Sequence, residues 1–290
     1  MIQNAIFACQ SMVHNQQPLG LIAGSGDLPC LIIDKCQTQN RPIFVAAIEN
    51  QAPPETVKNV DHAWIKMGQF GLFIKEFQQR QIKNIVFAGS IKRPNLNNIS
   101  LDWEGIKLLG SIGYKALGDD AILTIITDFF ESKGFRVIAP GEILQDLHPQ
   151  KGLLTLKSPS VEELDDIYKG INILDLIADA DVGQAIIMQM GQVLGIEAIE
   201  GTEALIYRVN SYKLAKTGGV LIKMSKSQQN LKVDLPTIGV NTLKQIHASN
   251  LNGIAIEATR SQIIDQENVI RLANELGLFI YVFEKDLSSS

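Results

Sequence analysis

Residues 223–239 gather the most suggestive chemistry in the chain. Lys223, Lys226 and Lys232 fall within a dozen positions of Asp234, which is followed by Leu235, Pro236 and, soon after, Gly239. A carboxylate can hold a hard metal ion, and ammonium groups can offset phosphate oxygens. The combination suggests chemistry on a phosphate ester or anhydride. An exposed, charged connection between a strand and a helix would use the same residue types, and local pattern alone favours that plainer reading.

A second cluster lies near the start. Gly24, Ser25, Gly26 and Asp27 follow an apolar run and open a helix, where glycines let backbone N–H groups approach a phosphate. Pro29 stands where a dinucleotide fingerprint has its third glycine, and Glu49 lies near the distance expected of a ribose-binding acid. This keeps a nicotinamide- or flavin-dependent enzyme as the alternative reading. A tight strand-to-helix turn with Asp27 near the cap is the plainer one. Gly118, Asp119 and Asp120 precede another apolar run. They suit either a first helical turn or a contact to metal or sugar hydroxyl. Asp181 and Gln184 join a helix to a strand, while Glu200, Thr202 and Glu203 join a strand to a helix. Carboxylates on connections can line a cation site, but for both groups local pattern favours the plainer reading, ordinary connections with capping at Thr202 and Glu203. Glu197 sits among apolar neighbours, so it either pairs with a lysine or faces outward.

The elements that must position these residues alternate. Strand-like runs at 19–23, 41–48, 62–66 and 83–88 are separated by helical stretches, and a short strand is expected at 135–140. This is the pattern of a parallel sheet covered by helices. Breakers crowd residues 145–160. A helix over 161–178 and a hairpin around Met190 and Gly191 follow. Helices at 202–215, 241–249 and 266–276 then alternate with strands at 219–224, 253–257 and 278–283. The expected fold class is therefore α/β, with an N-terminal Rossmann-like parallel-sheet domain (18–147) and a C-terminal mixed α/β domain (155–290).

Composition narrows the function. The 290 residues carry a net charge of −5 and a pI near 5.5, unlike a nucleic-acid binder. Cys9, Cys30 and Cys36 have no metal-ligand spacing, which fits a reduced, cytoplasmic chain. No apolar run reaches the ~18 residues of a membrane span. Residues 1–17 read as an ill-ordered extension with Met12 as an alternative start, and no secretory signal is expected. Walker, nucleophile-elbow, CxxC and HExxH motifs are missing, and His62 and His247 read as ordinary surface or packed residues.

Eight segments in order resemble one family from Leu19 to Phe283. They are Gly20-Leu-Ile-Ala-Gly-Ser-Gly-Asp-Leu-Pro29, Phe87-Ala-Gly-Ser-Ile-Lys-Arg-Pro94, Gly118-Asp-Asp-Ala-Ile-Leu123, Gly134-Phe-Arg-Val-Ile138 and Asp181-Val-Gly-Gln184. Val193-Leu-Gly-Ile-Glu-Ala-Ile-Glu-Gly-Thr-Glu203, Val233-Asp-Leu-Pro-Thr-Ile-Gly239 and Gly277-Leu-Phe279 complete the set. The chain resembles the UDP-2,3-diacylglucosamine pyrophosphatases of the lipid A pathway, in the form without a metallophosphoesterase fold. Departures from the family pattern are Ser227 for its usual proline, Asn230 for an acid, Lys232 for an arginine, losing its bidentate fork, and Glu203 for an aspartate.

The resemblance implies a Mg²⁺-dependent hydrolase whose essential aspartate is Asp234, acting on a lipid-linked UDP-sugar. On that basis Lys223 and Lys226 are expected to stabilise developing charge, and Asp234, Glu200 and Glu203 are the candidate metal ligands. Substrate contacts are expected from Gly24, Ser25, Gly26, Asp27, Gly118, Asp119, Asp120, Gln184, Thr202 and Thr237. A homodimer, no nucleic-acid partner and transient contact with the inner-membrane surface are also expected. A nucleotide-sugar binding module without activity is the third reading.

Overall fold

The computed structural model describes residues 17–91, 100–112, 119–144, 147–180, 182–226 and 235–285. They form two compact units, one built almost wholly before residue 145 and one after it.

The first unit is organised by β1 (Leu19–Ala23), which is buried at every position. A strand apolar on both faces belongs inside a parallel sheet covered on both sides. β1 pairs in parallel with β2 (Ile43–Ile48) and with β4 (Asn84–Ala88). β3 (His62–Ile65) flanks β2, and β5 (Arg136–Val137) flanks β4, giving the order β3-β2-β1-β4-β5. Helix α1 (Leu28–Thr38) starts with Pro29 in its first turn, a position where the missing N–H costs nothing. Its Ile32 and Cys36, four apart, are fully buried. Helices α2 (Phe70–Gln79), α3 (Trp103–Ile112) and α4 (Asp119–Ser132) complete the unit. Asp102 Oδ1 accepts from the Gly105 amide at 2.8 Å, a capping pattern that starts α3 at Trp103. The strand expected over 135–140 is only two residues long, because Pro140 opens a 3₁₀ turn.

Chain order reverses between β1 and β4, and there the loops leaving the two strands are stitched together. The Gly24 amide donates to Ala88 O (2.9 Å), Ser25 N to Ser90 O (2.9 Å) and Ser90 N to Ser25 O (2.8 Å). A Cβ on Gly24 would sit 2.5 Å from Ser90 O, and one on Gly89 would sit 2.5 Å from Ser25 O. Gly89 also has φ +88°, so it needs glycine for two reasons.

The second unit holds a six-stranded sheet in the order β6-β13-β11-β9-β7-β8. β9 (Val220–Lys223), β11 (Gly253–Glu257) and β13 (Phe279–Phe283) run parallel. β7 (Ala185–Gln189) runs antiparallel to β9 and turns back through Met190 and Gly191 into β8 (Gln192–Ile196). Both turn residues have positive φ, +52° and +76°, as a two-residue hairpin demands. Gly152–Leu153, within the breaker-rich stretch, forms β6 and pairs with β13. A separate parallel pair, β10 (Thr237–Ile238) with β12 (Gln262–Ile263), was not expected.

Helix α5 (Val161–Ile177) opens on a reciprocal cap. Ser160 Oγ accepts from the Glu163 amide (3.2 Å), while Glu163 Oε2 accepts from the Ser160 amide (2.8 Å). Helix α6 (Gly201–Val209) is shorter than the expected 202–215. The buried Gln189 carboxamide captures the following chain, bonding Leu214 N, Ala215 N, Ala215 O and Thr217 O. Helices α7 (Val240–Ala248) and α8 (Gln266–Glu275) connect the remaining strands. One core, which includes Leu221, Ile254, Ile256 and Val282, covers one face of the sheet, and another, which includes Ile222, Met224, Ala255 and Phe283, covers the other.

Two substitutions test these constraints by urea unfolding. Gly89→Ala should lose about 1–3 kcal/mol, because neither the backbone oxygen nor the positive φ can yield cheaply. Ser160→Ala should lose about 1 kcal/mol through the helix cap alone.

Candidate active site

The second sheet brings its charged residues to one edge. β8, β9, β11 and β13 all run the same way and end there, and antiparallel β7 begins there. Ligands of open α/β sheets bind beyond the carboxyl ends of the strands. At this edge lie Gln184, Glu197, Lys223, Ser225, Lys226 and Glu257.

Lys223 ends β9 and is 5% exposed. Its Nζ donates to Thr237 O at 3.5 Å, which joins the sheet edge to β10. Lys226, three residues on, is half-buried. By strand alternation Lys223 shares the face of Leu221 and Ile256, whereas Glu257 follows Ala255 onto the other face. Glu257 is 2% exposed, and its Oε2 accepts from both the backbone N–H (3.0 Å) and the hydroxyl (2.9 Å) of Ser225.

Glu197, 6% exposed just past β8, is held among the described residues by neutral donors. Thr202 Oγ1 donates to its Oε1 at 2.6 Å, and Gln184 N to its Oε2 at 3.1 Å. Thr202 therefore does not cap α6. Gly183 permits this approach, since a Cβ there would lie 2.1 Å from Glu197 O. Glu197, Thr202 and Gln184 thus form one connected group.

The other acids lie apart from it. Glu200 is exposed and paired with Arg208, at 3.0 Å from Nε and 2.8 Å from a terminal nitrogen. Its own backbone amide first, then the guanidinium, hold its carboxyl below the usual range. Glu203 is exposed. Among the described residues no group of three or more His, Cys, Asp or Glu side chains is gathered to hold a metal. Asp234, Lys232, Asp181 and Gly118 lie outside the described residues, as do the side chains of Asp119 and Asp120, whose backbone opens α4.

Sequence reasoning passes over Glu257, Ser261 and Gln262. Glu257 was assigned to a strand but given no role. Ser261 Oγ and Gln262 Nε2 are buried polar atoms without a hydrogen-bond partner among the described residues. Each such atom costs about 1–3 kcal/mol. Gln262 N donates to Pro236 O at 2.8 Å, two positions beyond Asp234. Thr259, in the same loop, has φ +60°, an uncommon state for a β-branched residue. Single polar residues at strand ends leave no periodic signal. Only the parallel sheet shows that these ends converge.

In the first unit, the 24–27 turn sits at the reversal of strand order. The amides of Gly24 and Ser25 are already committed to the neighbouring loop, and Ser25 Oγ donates to Ser90 O at 3.0 Å. Gly26 and Asp27 stand exposed at the tip, and the Asp27 side chain makes no cap bond. An exposed carboxylate there suits a hydroxyl better than a phosphate. Glu49 follows β2, with its amide donating to Ile65 O at 3.1 Å.

Among the described residues no helix is long and apolar enough to cross a membrane. Comparison with known proteins now adds to this geometry. The LpxI N-terminal domain matches residues 18–147, and the LpxI C-terminal domain matches residues 150–281. A protein of Caulobacter vibrioides named UDP-2,3-diacylglucosamine pyrophosphatase LpxI is 36% identical over 269 residues, which cover 90% of this chain and 96% of the relative. Both halves being matched in order, and the relative nearly end to end, the chain belongs to the LpxI family.

Proposed function

We propose that this protein hydrolyses the diphosphate bond of UDP-2,3-diacylglucosamine in lipid A biosynthesis, releasing UMP and 2,3-diacylglucosamine 1-phosphate. The observation that carries the reading is the near full-length similarity to a relative bearing that activity in its name. The lysine-bearing edge of the second sheet supports it.

A diphosphate is already anionic, so charge is the main obstacle to attack by water. Catalysis then consists largely of positioning and of offsetting that charge. Lys223 is suited to this, because its ammonium is buried and an electrostatic contact there is stronger than in water. Lys226 supplies a second cation close to it. The assignment of Asp234 rests on its motif: its carboxylate orients the attacking water or binds a divalent cation. The described residues build no metal cage, with Glu200 committed to Arg208. Mg²⁺ does not need one, since it keeps several waters and binds through one or two carboxylates plus substrate phosphates. In that position the ion would offset phosphoryl charge and lower the pKa of bound water. Glu203 remains a candidate to assist through water, and Asp27 to meet a sugar hydroxyl. Two acyl chains on the substrate give a physical reason for contact with the inner-membrane surface from the cytoplasmic side. A homodimer belongs to the same reading.

The first experiment incubates purified protein with UDP-2,3-diacylglucosamine and Mg²⁺, then with EDTA, following both products. Metal-dependent release of both, with ¹⁸O from water in the sugar phosphate, is expected for attack on the β-phosphorus. Release of neither under any divalent cation would favour a binding module or a nicotinamide enzyme instead. Asp234→Ala should lower kcat about 100-fold or more while leaving substrate binding nearly intact. Near-normal turnover in that variant would remove Asp234 from the mechanism.

A further inference from the structure

Glu257 is a buried acid to which the proposed reaction gives no role. A carboxylate at 2% exposure carries a desolvation cost that a neutral side chain would avoid. Among the described residues its hydrogen bonds go to Ser225, through both the backbone N–H and the hydroxyl. Ser225 is itself 2% exposed and lies between Lys223 and Lys226. The carboxyl ends of two neighbouring parallel strands, β9 and β11, are thereby clamped where the chain leaves β9 with its cations. Hydrogen bonds to a carboxylate are roughly twice as strong as neutral ones.

The other side of Glu257 is equally constrained. Ala258 N donates to Phe283 O at 2.7 Å, and Thr259 is held at φ +60°. Strained conformations of this kind persist where the surroundings over-determine them.

We propose that Glu257 is a positioning residue for the hydrolysis assigned above, and the inference rests on that reading. By gripping Ser225 it fixes where Lys223 and Lys226 present their ammonium groups, without touching the substrate itself. Charges that are held in place before reaction need no reorganisation during it.

The test compares Glu257→Gln, Ser225→Ala and the double variant in the full-length protein. Glu257→Gln keeps the shape and loses the charge. A small misplacement of catalytic groups can cost on the order of 100-fold, so kcat should fall about 10- to 100-fold while KM stays within a few-fold. The pH profile should keep both of its limbs. Ser225→Ala should lower kcat by less, and the double variant should fall no further than Glu257→Gln, since both act through one contact. Limited trypsin digestion gives a readout independent of the reaction, with cleavage after Lys226 expected to quicken in each variant. Thermal unfolding checks that each variant is folded, and if Glu257→Gln is not, Ser225→Ala carries both readouts. Wild-type turnover in Glu257→Gln, or effects of the two substitutions that multiply, would overturn the proposal. So would loss of one pH limb, which would make Glu257 an acid or base. A wild-type protein that releases no UMP would sink the reaction reading instead, and unchanged trypsin cleavage would then sink the clamp separately.

Discussion

Burying ionisable groups at a sheet edge is expensive, and the second unit is arranged around meeting that cost. Glu197, Lys223 and Glu257 are all less than 7% exposed, and all lie at or just past a strand end. Each is satisfied partly by main chain: Gln184 N, Thr237 O and Ser225 N respectively. At a strand end the ladder stops, so backbone groups become free to turn toward side chains. The same need brings the connecting loops inward. Gly183 must be glycine for the connection into β7 to approach Glu197, and β10 must lie beside the edge for its carbonyl to reach Lys223.

The first unit shows how one pattern of residues can have two physical causes. Glycines after β1 look like a cradle for phosphate, yet Gly24 and Gly89 are required because two backbones pass within contact distance. Pro29, which breaks the dinucleotide fingerprint, packs into the same seam, 3.0 Å from where a Cβ of Gly89 would lie. A phosphate loop leaves its amides pointing outward, whereas this loop turns the first two toward its neighbour. Only Gly26 and Asp27 of this turn stand exposed.

Much of the architecture is legible because the central strands are largely apolar runs. β1, β7, β9 and β11 are buried at every position, and such runs stand out against flanking glycines. Three two-residue strands are not legible: β6, β10 and β12 exist only through their pairing partners, which no local pattern records. The end of α6 is not legible either, because the chain after its closing 3₁₀ turn is held by a distant side chain, Gln189. Of the site, Lys223, Lys226, Gln184 and Thr202 were picked out from sequence and share the edge of the second sheet. The partner of Glu197 is hidden in the sequence, because Thr202, at the start of a helix, reads as an ordinary cap. Glu257 was invisible, since an acid closing a strand looks like any solvent-facing terminus.

The last strand in the sequence is not the last in the sheet. β13 lies between β6 and β11, so the first strand of the second unit hydrogen-bonds to the final one. Lys151 and Glu284 reinforce that closure with an ion pair of 2.9 Å. During synthesis, β6 emerges early and has nothing to pair with until residues 279–283 have left the ribosome. The unit therefore cannot be finished piecemeal from its N-terminal end. A chain stalled or clipped before β13 would lose an interior strand, leaving β6 unpaired and one side of β11 open to association with other chains.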